Sequence, residues 1–140
     1  MSQHNCVYCD RVSETVVWSD AHCRVIHVAD AKFAGLCRVV WNRHVAEFSD
    51  LDETARIHLM KVVAGVEIGL RDLLRPDKIN LASLGTGVPH LHWHVIPRFA
   101  DDKHFPGSVW SEAHRPGVAR PIDRDALRRI LRNELQAVAQ

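Results

Sequence analysis

Histidines occupy every second position of the segment His90-Leu91-His92-Trp93-His94-Val95-Ile96. Because side chains alternate across a β-strand, this spacing predicts a strand with three imidazoles on one face and apolar side chains, facing the core, on the other. A helix would fan the same histidines around its axis. Buried imidazoles need partners for all of their ring nitrogens, so the row indicates a chemical site more strongly than a solvated, histidine-rich surface.

Two kinds of chemistry suit such a row. Imidazole is a common ligand of zinc, copper and iron, so the three rings can hold a metal ion. Alternatively, one ring is a nucleophile that attacks phosphorus while its neighbours fix its tautomer and charge. The preceding loop, Gly85-Thr86-Gly87, favours the second chemistry, because glycines let backbone N–H groups approach an anion and Thr86 adds a hydroxyl donor. Without the histidines, the same loop would indicate only a hairpin turn.

The composition is that of an ordinary globular domain. The chain has 140 residues, of which 46% are hydrophobic and 25% are charged, which predicts one domain, 1–140, with its own core. A net charge of +1 gives no general attraction to nucleic acid or to anionic membranes. No apolar run approaches the roughly 20 residues of a membrane helix, and Met1–Asn5 lacks the features of a secretory signal, so we expect a cytoplasmic protein.

Cys6 and Cys9 form a Cys-x-x-Cys pair in the N-terminal segment 1–14. This spacing suits either one chelated ion or a redox disulfide. A redox pair is expected between a strand and a helix of a βαβ unit, which this segment does not offer, so we favour zinc with two further ligands from elsewhere. Cys23 and Cys37 lie in strand-like runs and are predicted to be small core residues.

Hydrophobic periodicity predicts an α+β domain with about five antiparallel strands and two main helices. Asp50 is the predicted N-cap of the long helix, with Glu53 completing a capping box and Pro76 ending the helix. Asp123 is the predicted cap of a second helix, in the C-terminal extension 111–140. The predicted strands are 15–18, 23–28, 37–41, 79–84 and the histidine segment.

The segment His90–Ile96 resembles the signature of the histidine triad (HIT) family, in which three histidines alternate with apolar residues. The order of elements around it is similar over most of the chain. Members are α+β nucleotide hydrolases and transferases, usually homodimers, whose substrates include nucleoside phosphoramidates, dinucleoside polyphosphates such as diadenosine tetraphosphate, and adenylylated compounds. Pro97-Arg98 resembles the diadenosine tetraphosphate hydrolase-like branch, and the span Lys78–Arg98 is similar to a bacterial HIT group.

The resemblance implies a division of roles among the histidines. His92 would be the nucleophile that forms a nucleotidyl-histidine at the α-phosphate, which water then cleaves. His94 would hydrogen-bond the phosphate, and His90 would orient His92 or be structural. No cofactor would be needed for this chemistry. The implied substrate-binding residues are Asn80, Gly85, Thr86, Gly87 and Arg98.

The same resemblance implies a structural zinc site, because some members carry an N-terminal Cys-x-x-Cys whose ion is completed by two histidines. The matching residues are Cys6, Cys9, His44 and His90. A Cys2His2 set of this kind suits a closed tetrahedral site. If no ion binds, the cysteines are reduced terminal thiols and His44 ends a strand.

The sequence departs from the family pattern at three places, one of which is the loop before the triad, where Thr86 and Gly87 replace the usual Gln and Ser or Thr. Many members have a histidine in a Pro-Gly-His run where this chain has Ala34-Gly35-Leu36, and the acidic residue that usually binds the ribose falls at Val28, with Asp30 nearby. Two other functions therefore stay open: a metal-dependent enzyme that uses the three strand histidines as ligands, and a nucleotide-binding module without turnover. Trp110 is expected to be exposed, where it packs locally or contributes to a partner's pocket.

Overall fold

A computed structural model describes residues 5–30 and 32–138 of the chain. The other residues are 1–4 of the predicted N-terminal segment, 31 in the loop after the second strand, and 139–140 of the predicted C-terminal extension. The predictions made for them lie outside the described residues. In chain order the elements are α1 (Val7–Asp10), β1 (Val16–Ser19), β2 (Cys23–His27), β3 (Cys37–Trp41), a 3-10 turn (Phe48–Asp50), α2 (Glu53–Leu74), β4 (Lys78–Ala82), β5 (His92–Arg98) and α3 (Arg124–Glu134).

The five strands form one antiparallel sheet in the order β1-β2-β3-β5-β4, and the predicted α+β fold is confirmed. Most strand bounds differ from the prediction by one or two residues, and two of these differences bear on the site. β4 ends at Ala82, and β5 begins at His92 rather than at His90. The backbone N–H of His90 donates to the Val88 carbonyl at 2.8 Å, so a tight turn precedes the sheet pairing and keeps His90 out of the strand.

The long helix α2 is capped by Asp52, not by Asp50 as predicted. The Asp52 carboxylate accepts a hydrogen bond from the Ala55 N–H at 2.8 Å. Asp50 instead ends the 3-10 turn, where its carboxylate accepts from the Glu47 N–H at 2.9 Å. Both aspartates are able to cap a helix, and because the 3-10 turn takes up Asp50, the helix starts two positions later than predicted. The predicted cap of α3, Asp123, is confirmed.

The two faces of the sheet bury different groups. Both long helices cover one face, and the apolar core between them includes the fully buried thiols Cys23 and Cys37, as predicted. The other face is covered in part by α1, where Cys6 and Tyr8 pack against Ile26 and Val40. The fully buried apolar side chains of the helix-covered core include Val25, Val39, Leu59, Val62, Val66, Leu70, Val95, Leu127, Leu131 and Leu135. Within the described ranges, none of the helices combines the length and apolarity that crossing a lipid bilayer requires.

Candidate functional site

His92 begins β5, and its ring is held in one tautomer. Its Nδ1 lies 2.7 Å from the carbonyl oxygen of His90. A carbonyl oxygen only accepts, so Nδ1 carries the ring proton and donates it to that bond. The lone pair of the neutral ring is therefore on Nε2.

His94 follows on the same face of β5. The ring centroids of His92 and His94 are 5.0 Å apart, and Trp110 makes an edge contact with His94 at 5.2 Å. Burial, followed by the neighbouring His92 and Arg38, lowers the pKa of His94 to about 4. Burial also lowers the pKa of His92, although the hydrogen bond to His90 raises it in part. Both rings are therefore neutral near pH 7.

His90 does not share this arrangement, so the prediction of three equivalent imidazoles on one strand is wrong for this residue. Its fully buried ring donates from Nε2 to the Trp41 carbonyl at 2.6 Å, which leaves the lone pair on Nδ1. That Nδ1 lies 3.3 Å from the Cys6 Sγ, 3.5 Å from the Cys9 Sγ and 3.1 Å from the His44 Nδ1. The backbone of His90 orients the next histidine, while its side chain belongs to a separate cluster.

The cluster of Cys6, Cys9, His44 and His90 has the shape of a tetrahedral metal site. All four ligand atoms lie within 4.8 Å of one another. Around a tetrahedral zinc ion, two nitrogens would lie about 3.3 Å apart and a nitrogen and a sulfur about 3.6 Å apart. The observed contacts, 3.1 Å between the two nitrogens and 3.3–3.5 Å between nitrogen and sulfur, differ from these values by a few tenths of an ångström. The residues fit a zinc ion without rearrangement.

A second group with metal-ligand chemistry lies at the start of β2, where Asp20, Cys23 and His58 meet. The Asp20 carboxylate is already satisfied: it accepts from the N–H groups of His22 and Cys23 at 2.8 Å each, and from His58 Nε2 at 2.7 Å. Although burial alone would raise the pKa of Asp20, these bonds lower it overall. His58 thus ties α2 to the β1–β2 hairpin.

The glycine loop lies against the histidines. The Ser83 hydroxyl donates to the His92 carbonyl at 2.8 Å and fixes the start of the loop. Gly85 has a φ of +74°, a conformation that favours glycine, and Thr86 and Gly87 are exposed at the tip. A cleft of about 410 Å³ borders His92. Its walls are Ala46, Glu47, Phe48, Met60, Ser83, Leu84, Gly85, Leu91 and Trp93.

Arg98, predicted to bind substrate, lies in a buried ion pair with Asp102. Its Nε and Nη2 donate to the two Asp102 carboxylate oxygens at 2.8 and 3.0 Å, and its other bonds go to Asn80 Oδ1 and the Gly107 carbonyl, both at 2.7 Å. Four of the five N–H donors that a guanidinium offers are thus used, and the side chain is 2% exposed. This placement favours a role for Arg98 and Asn80 in holding the loop after β5 rather than in direct substrate contact.

At the described positions before β3 where the chain departs from the family pattern, the side chains are apolar except for Asp30. Leu36 is buried, and its carbonyl accepts from the Val28 N–H at 2.9 Å. The Asp30 carboxylate caps its own loop by accepting from the Lys32 N–H at 2.9 Å. Trp110 is 53% exposed, as expected.

Sequence reasoning missed two residues on the histidine face. The Tyr8 ring packs on the His92 ring at a centroid distance of 4.7 Å. Arg38 pairs with His94 in the β3–β5 register and donates from Nη1 to the Tyr8 hydroxyl at 3.2 Å. The available signal was the interruption of the apolar run Cys37–Trp41 by one arginine, at a position that alternation places on the side of the histidines.

Comparisons with known proteins agree with this geometry. A model of the HIT domain matches residues 10–101. A histidine triad protein from Bradyrhizobium japonicum is 28% identical, with a TM-score of 0.75 over 93% of this chain and 97% of that chain. One from Marinobacter aquaeolei is 25% identical, with a TM-score of 0.72 over 92% and 93%. A Zn-bound histidine triad family protein from Mycobacterium smegmatis, 24% identical with a TM-score of 0.62 over 95% and 94%, shares the fold. No curated protein matches the chain.

The matched span covers well over half of the 140 residues and contains the complete His90–Ile96 segment. The chain therefore belongs to the HIT domain family of nucleotide-binding proteins.

Proposed function

We propose that the protein is a nucleotide hydrolase or nucleotidyl transferase that uses His92 as its nucleophile, with a nucleoside phosphoramidate or a dinucleoside polyphosphate as substrate. One observation carries the proposal. The Nδ1 of His92 is committed to the His90 carbonyl at 2.7 Å, and the ring is neutral, so the lone pair on Nε2 is the reactive one. His94, also neutral, stands 5.0 Å away as a donor for the phosphate.

The chemistry follows from these two rings. The Nε2 lone pair of His92 attacks the α-phosphorus, and a P–N bond forms as the bond to the leaving group breaks. A leaving amine takes the bonding electrons and a proton from solvent, whereas a leaving phosphate departs with the bonding electrons as an anion. The positive charge on the nucleotidyl-histidine is shared by the Nδ1–H bond to the His90 carbonyl. His94 donates an N–H to a nonbridging oxygen of the phosphate. Water then attacks the same phosphorus, releases a nucleoside monophosphate and a proton, and returns the electron pair to Nε2.

We further propose that the cluster of Cys6, Cys9, His44 and His90 holds a structural zinc ion that takes no part in this chemistry. A four-ligand site is closed and offers no position to a substrate. When bound, the ion joins α1 to the turn before β5. The alternative of one catalytic metal held by three strand histidines is less well supported, because the metal-capable groups among the described residues include neither His92 nor His94.

A homodimer stays a prediction from the family resemblance. The edge strand β4 has unpaired backbone groups and carries Leu81, which is 44% exposed, and such an edge is suited to pairing with a second copy. Sedimentation velocity at several protein concentrations measures the assembly state directly.

The test is turnover of adenosine phosphoramidates and diadenosine polyphosphates by the wild type, by His92→Asn and by His114→Asn, each with and without a chelator. His114 is an exposed histidine whose ring contacts neither His92 nor His94 among the described residues, so it is the matched control. We expect chelator-resistant turnover that is lost in His92→Asn and kept in His114→Asn, together with an acid-labile nucleotide adduct in the wild type. Activity that needs added metal would support the metal-dependent alternative, and binding without turnover would support a nucleotide-binding module.

A further inference from the structure

Three arginines lie on the histidine face. Of these, only Arg38 has no carboxylate partner in the described part of the chain. Arg24 and Arg98 are each paired with a buried carboxylate, at 2.7 and 2.8 Å. Arg38 lies on β3 directly opposite His94, and strand alternation turns its side chain to the same face. No ion pair of Arg38 occurs among the described residues.

The hydrogen bonding of Arg38 is also incomplete. Its Nε is buried and has no partner among the described residues, while Nη1 donates to the Tyr8 hydroxyl at 3.2 Å. A buried donor without an acceptor lowers stability, and a half-buried cation without a counter-charge lowers it further. A bound anion beside the histidines would remove both penalties.

We propose that Arg38 is a catalytic residue of this site, which donates hydrogen bonds to the nonbridging oxygens of the phosphate that His92 attacks, and that Tyr8 positions it. This inference rests on the proposed function and deepens it. Arg38 then supplies the positive charge of the site, since His92 and His94 are both neutral.

The chemistry of phosphoryl transfer calls for such a group. As Nε2 of His92 approaches phosphorus, negative charge is spread over the oxygens that are neither attacking nor leaving. A guanidinium offers parallel N–H donors that match two phosphate oxygens, and a fixed donor in a dry site stabilises developing charge without reorganisation. Directly paired residues of antiparallel strands have Cβ atoms about 4.5–5.5 Å apart, so one phosphate can contact both Arg38 and His94.

Tyr8 joins this cation to the metal cluster. It lies between Cys6 and Cys9 in α1, its ring contacts His92 at 4.7 Å, and its hydroxyl accepts the bond from Arg38. Its backbone carbonyl accepts from Arg24 Nη2 at 2.6 Å, which ties the turn to β2. The structural role of the cysteine turn therefore extends to the phosphate site through one side chain.

The test compares Arg38→Gln, Arg38→Lys and Arg38→Ala with Arg71→Gln, a control on the exposed side of α2. We measure kcat and KM for adenosine phosphoramidate, the affinity for AMP by calorimetry, and the rescue of Arg38→Ala by methylguanidinium. Arg38→Gln should lower kcat roughly 10²–10³-fold and weaken AMP binding roughly tenfold or more. Arg38→Lys should be intermediate, because an ammonium restores the charge but not the planar fork. Rescue by methylguanidinium would not follow from a purely structural role.

The outcomes separate this inference from the proposed function. If His92→Asn is inactive but Arg38→Gln keeps kcat within threefold and AMP affinity within twofold, the inference is overturned and the proposed function stands. If the wild type turns over no substrate, the proposed function fails, and weaker AMP binding in Arg38→Gln still decides whether Arg38 binds the phosphate. Should Arg38→Gln not fold, Arg38→Lys decides, since wild-type kcat and AMP affinity in that variant would overturn the inference.

Tyr8→Phe isolates the positioning role, because it keeps the ring on His92 and removes only the hydroxyl. We expect kcat to fall roughly three- to tenfold with little change in KM, as for the loss of one hydrogen bond. If Tyr8 acts through Arg38, the double variant Tyr8→Phe/Arg38→Gln should be no slower than Arg38→Gln alone. Additive losses would reject the positioning role.

Discussion

The Nδ1 atoms of His44 and His90 lie 3.1 Å apart, and at His90 that nitrogen carries a lone pair because Nε2 donates to the Trp41 carbonyl. Two imidazole nitrogens at this distance need a proton or a metal ion between them. Cys6 and Cys9 complete a tetrahedral set around the same point. Burial and the neighbouring Cys6 raise the pKa of the Cys9 thiol to about 11, so Cys9 gives up its proton there only when a cation compensates.

We predict one zinc ion per chain, lost in Cys9→Ser and kept in Cys37→Ala, which removes a buried thiol elsewhere in the core. Removal of zinc by a chelator should lower the melting temperature by about 10 °C or more, because a structural zinc site contributes several kcal/mol to folding. Metal analysis and thermal unfolding measure both effects. A wild type without zinc, whose melting temperature a chelator leaves unchanged, would contradict the prediction.

The pKa of His94, about 4 in the folded chain against a usual value of 6.5, predicts a pH dependence of stability. Between these two values the unfolded chain binds a proton that the folded chain does not. The free energy of unfolding should therefore fall as the pH drops from 6.5 towards 4, by about 2 kcal/mol from this residue. Urea unfolding at a series of pH values, in the wild type and in His94→Gln, isolates the contribution. Equal slopes in the two proteins would show that His94 is not its source.

Asp102 should be far more important for stability than its neighbour Asp101. Asp102 is 3% exposed and forms the buried pair with Arg98, and although burial opposes it, hydrogen bonds from Arg98 and the backbone lower its pKa to about 2. Asp102→Asn leaves the Arg98 charge buried without a partner, so we expect a loss of about 3–5 kcal/mol. Asp101 forms an exposed pair with Arg120, so Asp101→Asn should lower stability far less than Asp102→Asn. Chemical denaturation measures the free energy of unfolding of both variants. Equal losses in the two would show that the buried pair is not intact in solution.

Alanine substitutions at two glycines test two different properties: backbone strain at Gly35 and access of the phosphate to the backbone at Gly87. Gly35 has a φ of +79°, and a Cβ there would lie 2.5 Å from Leu74 Cδ1, so Gly35→Ala should destabilise the protein by about 1–3 kcal/mol. A Cβ on Gly87 meets nothing within 4 Å, so Gly87→Ala should change stability by less than about 0.5 kcal/mol. If the phosphate approaches the Gly87 backbone, KM for adenosine phosphoramidate rises in that variant alone. Unchanged KM would remove Gly87 from the anion site.

Individual residues show which features of the structure the sequence can predict and which it cannot. Alternation correctly placed His92 and His94 together on β5, because the period of a strand is a local property. The same rule failed at His90, because a hydrogen bond to Val88 turns the backbone before the strand begins. Arg98 was predicted to bind substrate, but Asp102 folds back onto it through a loop whose path no local pattern predicts.

The sequence by itself determined the sheet and the two long helices, the family, and the identity of the residues able to do chemistry, since periodicity, capping residues and motif spacing are all written along the chain. Only the tertiary structure decided which nitrogen of each imidazole carries the proton, how closely the cluster of two cysteines and two histidines converges, and which arginine of the histidine face has no carboxylate partner among the described residues. Those properties depend on hydrogen-bond and ion-pair partners that folding brings from distant segments, such as Trp41 for His90 and Tyr8 for Arg38.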